Sequence, residues 1–212
     1  MRKIRLAIVG AGDYGKQIHH WAEITGDYEI VGYFDDYTQP NIIIKDKPIL
    51  GKISTIEELF KLGIFDQLFI AIGYKHSNFK QVLFQQLKNK IPFATIIVSP
   101  TYIDPTARIG ENVLIGPGCI IGEDCIIEDN TKISQGTSIS HNSRIQAGTY
   151  ISPSVNVAGF SNIGQCCFIG IGSTIIDNII IGNNITIGAS ALVVKNLTEE
   201  GTYIGVPCKK VK

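Results

Sequence analysis

This 212-residue chain lacks an excess of charge of either sign: 19 basic and 19 acidic residues cancel, and no basic block interrupts them. Nucleic acid and anionic membrane surfaces are therefore disfavoured as partners. Long apolar runs are missing as well; none approaches a membrane span, and the hydrophobic stretch inside the N-terminal MRKIRLAIVG is too short for a secretory signal. A soluble cytoplasmic protein without membrane insertion is expected. The five cysteines have no zinc or redox spacing, since Cys166 and Cys167 are adjacent and Cys208 stands in the tail. Histidine occurs at His19, His20, His76 and His141 and does not group with the thiols, so no metal site is expected.

What the sequence does contain is a period. From Ile103 to Val193 every sixth residue is Ile or Val, sixteen in succession without an insertion. Neither a 3.6-residue helical repeat nor an alternating strand demands that spacing. A solenoid of hexapeptide units does, each unit being a short strand and a turn that buries one aliphatic side chain. Gly follows the aliphatic residue at 110, 116, 122, 164, 170, 182 and 188, where a tight corner is expected. Four residues after it the side chain is usually small, as at Ala107, Thr131, Ser143 and Ala191, which suits a narrow interior. Cys119, Cys125 and Cys167 occupy this position and read as buried structural thiols. With three units to a coil, residues eighteen apart stack about 4.8 Å apart.

The first hundred residues follow another plan. The apolar run IRLAIV, residues 4–9, ends in Gly10, Ala11, Gly12, Asp13, Tyr14 and Gly15 and then a helix through about Glu23. Strand, glycine turn and helix bring backbone N–H groups to a phosphate at a helix N-terminus. A second strand, Glu29 to Phe34, ends in Asp35 and Asp36, placed to accept hydrogen bonds from a ribose or a base. Helices near Thr55 to Leu62 and Ser77 to Asn89, with strands at Gln67 to Ile72 (closed by Gly73) and Ala94 to Val98, complete a small parallel Rossmann-like α/β sheet. Fewer than one hundred residues precede the solenoid, enough for a mononucleotide-sized half but not for a full NAD-binding fold. Two domains are expected, residues 1–100 and 101–212.

Histidine occurs once in the repeat region, as His141, at an outward turn position. Eighteen residues further, directly above it, stands Gly159, which leaves open space and a backbone N–H beside the imidazole. A base next to an amide donor is the pair that acyl transfer needs: one takes the nucleophile's proton, the other holds the oxyanion.

Together, the glycine turn, Phe34-Asp35-Asp36, Ala71-Ile72-Gly73, the hexapeptide array, the lone histidine, Ala158-Gly159 and Ile204-Gly205-Val206-Pro207 resemble one family. It is the sialic-acid O-acetyltransferase and nucleotide-sugar N-acetyltransferase family of left-handed β-helix enzymes, active in bacterial surface glycan synthesis such as O-antigen assembly. The resemblance implies left-handedness, a homotrimer and acetyl-CoA as co-substrate. It puts the general base on His141 and the oxyanion amide on Gly159. Acetyl-CoA is expected between neighbouring subunits, at Ile171, Ala189 and Pro207. The sugar nucleotide is expected on the N-terminal domain, its diphosphate at Gly12, Asp13 and Tyr14 and its base near Asp35 and Asp36, with Gly10, Gly15 and Gly73 completing the site.

Two positions depart from the family pattern. Asn142 stands where an acid usually follows the histidine; it can orient an imidazole but carries no charge. Glu123, one coil below His141, is a candidate substitute. Nine residues after the base, Tyr150 replaces a second histidine and keeps a hydrogen-bond donor. The expected activity is transfer of acetyl from acetyl-CoA to the amine of a UDP-, dTDP- or GDP-linked amino sugar by direct attack. The alternatives are O-acetylation of a sugar hydroxyl, and a catalytically inactive scaffold that binds nucleotide sugars.

Overall fold

The computed structural model describes residues 2–39 and 42–212. The chain divides into two compact units, the first ending at Val98 and the second running Ser99–Lys212.

In the first unit β1 (Ile4–Val9) leads through the glycine turn into α1 (Asp13–Thr25) and back along β2 (Tyr28–Phe34). Then follow β3 (Ile43–Ile44), β4 (Lys47–Gly51), α2 (Ile56–Lys61), β5 (Gln67–Ile70) and α3 (Ser77–Leu87). The sheet order is β3-β4-β2-β1-β5, parallel except for the β3–β4 hairpin. The hairpin was not expected from the sequence. It lacks the apolar alternation of the other strands, and its reversal is made by Lys45 and Asp46, both at positive φ. The late strand expected at Ala94 to Val98 is not part of this sheet: Ile96–Ile97 is a two-residue strand of the eight-stranded sheet that also holds Leu114–Ile115, and only an isolated parallel bridge from Phe93 to Leu68 extends the first sheet beyond β5. β1 and β5 are buried on both faces, which is why they read as unbroken apolar runs.

The second unit is a parallel β-helix. Two-residue strands stack in register at eighteen-residue intervals on three sheets, for example Ile103, Ile121 and Ile139 on the first, Ile109, Ile127 and Ile145 on the second, and Ile115, Ile133 and Ile151 on the third. From Ile115 to Val193 the periodic aliphatics are at most 1% exposed and form one continuous core with Ile103 and Ile109 at its edge. Burial of each stabilises the fold by roughly 1.5–3 kcal/mol relative to exposure.

The small inward residues do more than fill a narrow space. Each Ser, Thr or Cys at this position donates to the carbonyl of the residue fifteen further along, as Thr149 Oγ1 does to Gly164 O at 2.7 Å and Cys119 Sγ to Ser134 O at 3.1 Å. The same bond recurs from Cys125, Thr137, Ser143, Ser161, Cys167 and Ser173. Thiols and hydroxyls are thus interchangeable parts of one ladder, and burial pushes the Cys167 thiol up to about 11.

The glycines after the aliphatic residue are needed for a different reason from the one expected. Their φ values are negative; a Cβ on Gly116 or Gly122 would instead sit 2.7 or 2.8 Å from the backbone nitrogen of the next coil. The left-handed residue lies two positions further on. It recurs at all fourteen sites from Asn112 to Ser190, and twelve of these are Asn, Asp, Gly or Ser, the types that tolerate positive φ. Phe160 and Cys166 are the exceptions.

Candidate active site

In the first unit β1 lies between β2 and β5, so successive connections leave it in opposite directions and a crevice opens at the carboxyl ends of the strands. The cavity there has a volume of about 580 Å³ and is lined by Val9, Gly10, Phe34, Asp35, Asp36, Tyr37, Ile53, Ile72, His76 and Phe79. The three glycines of the turn do different work. Gly10 has φ +100°, and a Cβ there would lie 2.8 Å from the Ala71 carbonyl oxygen. A Cβ on Gly15 would collide with the Gly10 carbonyl oxygen, whereas one on Gly12 meets nothing. The fold itself requires Gly10 and Gly15; at Gly12, the exposed N-cap of α1, the absence of a side chain leaves the backbone open to solvent. Gly73 is equally open.

Asp35 serves a purpose that the sequence reading missed. Its carboxylate accepts N–H bonds from Ala11 at 2.9 Å, Tyr37 at 2.9 Å and Thr38 at 2.8 Å. Partial burial opposes its ionisation, but these bonds prevail and its pKa is lowered. Asp35 therefore organises the glycine turn as well as lining the crevice. Asp36 uses one oxygen on the Ile53 N–H.

In the second unit His141 stands at the corner between the first and second sheets. Its ring lies over Gly159, where a Cβ would be 2.7 Å from Cε1 and 2.9 Å from Nε2. The open space expected above Gly159 is filled by the imidazole itself, and Gly159 is buried beneath it. Nδ1 is 3.1 Å from Asn142 Oδ1. An amide oxygen only accepts, so in the neutral imidazole this contact puts the proton on Nδ1 and leaves Nε2 as the acceptor. Asn142 reaches the ring because its own backbone is left-handed, φ 55°. Phe160 packs edge-on against the ring, centroids 5.0 Å apart. The Gly159 N–H makes no hydrogen bond among the described residues. The corner thus presents a fixed acceptor nitrogen and an available amide donor.

Glu123 does not join this group. Its side chain is exposed and makes no hydrogen bond or ion pair to the imidazole; its backbone carbonyl takes the Asn142 N–H at 2.8 Å. Asn142, adjacent in sequence, already holds the nitrogen that a carboxylate would have bound. Tyr150 lies on the third sheet, stacked on Phe168 with centroids 5.4 Å apart and with Lys132 Nζ 4.7 Å above its ring. Burial raises the Tyr150 pKa and lowers that of Lys132 to about 8. Ile171, Ala189 and Pro207, each eighteen residues apart, are exposed at the corner that follows the third sheet. Within one chain that corner is separate from the corner of His141. Among the described residues no three His, Cys, Asp or Glu side chains converge as a metal site requires, and no helix is long and apolar enough to cross a membrane.

Residues 5–87 match the family model of the PglD N-terminal domain, and residues 97–198 match that of the GMPPB C-terminal domain. The chain is 26% identical to PerB from Caulobacter crescentus, whose structure is in complex with CoA and GDP-perosamine; the match covers 98% of this chain and 97% of that one, with a TM-score of 0.89. A variant of perosamine N-acetyltransferase from the same organism is 25% identical over 98% and 96%, with a TM-score of 0.90. The chain thus carries a PglD-type N-terminal domain and is similar over nearly its whole length to a sugar N-acetyltransferase. The acetyltransferase domain of PglB from Neisseria gonorrhoeae, 24% identical over 99% of this chain and all of that one, shares the fold with a TM-score of 0.89.

Like these neighbours, the second unit is a left-handed β-helix of hexapeptide repeats. The eighteen-residue stacking had directed attention to His141 and Gly159, and the structure joins those two with Asn142. It adds Phe160 at the same corner, and Ile53, Ile72, His76 and Phe79 in the crevice. Phe160 carried a signal that could have been read, as an aromatic residue at a repeat position held, Cys166 apart, by turn-forming types. The crevice is lined from four separate segments, and only the sheet order brings them together.

Proposed function

We propose that this protein is an acetyl-CoA-dependent N-acetyltransferase acting on the amine of a nucleotide-linked amino sugar. The observation that carries this reading is the His141 corner: Nδ1 held by Asn142, Nε2 left as acceptor, and the unused Gly159 N–H beside the ring. A sugar ammonium is not nucleophilic until it loses a proton, and Nε2 is the acceptor for that proton. The amine nitrogen then attacks the thioester carbon of acetyl-CoA. The Gly159 N–H stabilises the oxyanion that forms; as the C–S bond breaks the nitrogen gives up its second proton, and of the two protons lost one converts the CoA thiolate to the thiol and the other passes to solvent. No covalent acyl-enzyme is required. PerB was seen with CoA and GDP-perosamine, which supports both substrates.

The nucleotide binds the crevice of the first unit, with its diphosphate at Gly12, Asp13 and Tyr14 and its base toward Asp36. Acetyl-CoA binds along Ile171, Ala189 and Pro207. Since that column and His141 occupy different corners of one β-helix, a neighbouring copy must supply one of them, and the functional assembly is a homotrimer. The role in surface polysaccharide synthesis and a cytoplasmic location follow from such a substrate. The test is thiol release from acetyl-CoA with GDP-, UDP- and dTDP-linked amino sugars, and with sialic acid as a hydroxyl acceptor. Turnover with at least one amino sugar and none with sialic acid is expected; turnover only with the hydroxyl acceptor overturns the reading. Light scattering at micromolar concentration should give three times the 23.1 kDa chain mass, and a fully active monomer would remove the shared CoA site.

A further inference from the structure

Phe160 is out of place by every local criterion. Of the fourteen left-handed corner positions in the β-helix, five are Asn, four Gly, two Ser and one Asp; Phe160 is the sole aromatic, at φ 57°. A bulky side chain in this region is strained. Burial does not compensate, for Phe160 is 57% exposed. Its backbone is fixed by a 3.0 Å bond from its N–H to the His141 carbonyl, and its ring stands at 85° to the imidazole. The repeat therefore carries its one aromatic corner beside its one histidine. Strain held at a site without a packing return points to a role in function.

We propose that Phe160 determines acceptor specificity, its exposed ring forming the apolar wall of the acceptor subsite beside His141. A pyranose ring has faces made of C–H groups, and an aromatic surface next to the base offers such a face a place to lie while the amine meets Nε2. The same ring excludes water from one side of the imidazole. The inference rests on the transferase reading given above and goes beyond it, because it assigns the sugar side of the reaction to a residue outside the proton-transfer and oxyanion pair.

The test compares the wild-type protein with Phe160→Asn, which installs the commonest occupant of this corner, and Phe160→Leu, which keeps apolar bulk. Phe160→Asn should melt at least about 2 °C higher as strain is relieved, while its KM for the amino-sugar nucleotide rises about tenfold or more. The KM for acetyl-CoA and the light-scattering mass should stay unchanged. Phe160→Leu should retain more acceptor affinity than Phe160→Asn. Wild-type kcat/KM for the acceptor in Phe160→Asn overturns the inference. So does a rise confined to the KM of acetyl-CoA, or a loss of assembly, since the ring would then face CoA or a neighbouring subunit. Absence of turnover by the wild-type protein with any amino sugar removes the transferase reading and this inference with it.

Discussion

A methyl group at position 159 is the smallest change that separates the imidazole from its surroundings. A Cβ there falls within 3.2 Å of Cε1, Nε2 and Nδ1 of His141, so Gly159→Ala must displace the ring. It should lower kcat by a factor similar to His141→Ala, about 10²- to 10⁴-fold, with little change in the affinity of either substrate. Raising the pH should restore part of the His141→Ala activity, because solvent then deprotonates the sugar amine. Steady-state kinetics between pH 6 and about 9.5 checks both, and wild-type kcat in either variant at neutral pH would refute the assignment. The pair was legible before any coordinates, because the period of eighteen stacks position 159 on 141. The use of Asp35 was not. A carboxylate after a strand reads as a ligand for ribose, and only the path of the loop shows three backbone N–H groups already bound to it.

At the level of elements, the fifteen-residue hydrogen bonds make a clear forecast. Thr137→Val keeps the shape and strands the Ser152 carbonyl, which Thr137 Oγ1 now meets at 3.1 Å. It should cost about 1–3 kcal/mol, whereas Cys119→Ser, which retains a donor, should be nearly neutral; thermal or denaturant unfolding measures the contrast. Helix α1 supplies a pH test. His19 is 1% exposed and faces the Tyr33 hydroxyl and the Glu23 carboxylate, with Lys45 and Lys47 also acting on it. Burial lowers its pKa in spite of Glu23. The unfolded chain therefore binds this proton more readily, and stability is expected to fall as pH drops through about 6.5, the unfolded value. His19→Gln should flatten that slope in unfolding curves taken from pH 7 to about 5, and an unaltered slope would show that another group governs it. The strands of the repeat were legible from their aliphatic residues. Their corners were misread, because glycine is used twice in this fold, once for close approach and once for a left-handed backbone, and composition does not separate the two uses.

For the whole molecule, binding and chemistry are assigned to different units, and this division can be probed at a position the fold does not need. A Cβ on Gly12 meets nothing within 4 Å, and its φ of −76° suits any residue. Gly12→Val should therefore leave the melting temperature unchanged and raise the KM for the sugar nucleotide about tenfold, with the KM for acetyl-CoA unaltered. A rise in both constants would mean that the turn serves both ligands.

The residues after Val193 bear on solubility. Leu197 bridges to Ile181, Gly201–Ile204 runs along Ile185–Ile187, and Leu192 exchanges bonds with Gly205 and Cys208, so the segment reaches the last rung of all three sheets. The antiparallel strand Lys209–Lys210 then faces Tyr203 and Ile204 with two lysines. A parallel ladder that ended bare would offer unpaired N–H and C=O groups to the same end of another molecule, the route to edge-to-edge aggregation. This tail therefore caps the ladder as well as carrying Pro207, and its removal is expected to favour end-on-end addition of copies, read as a rising mass in light scattering.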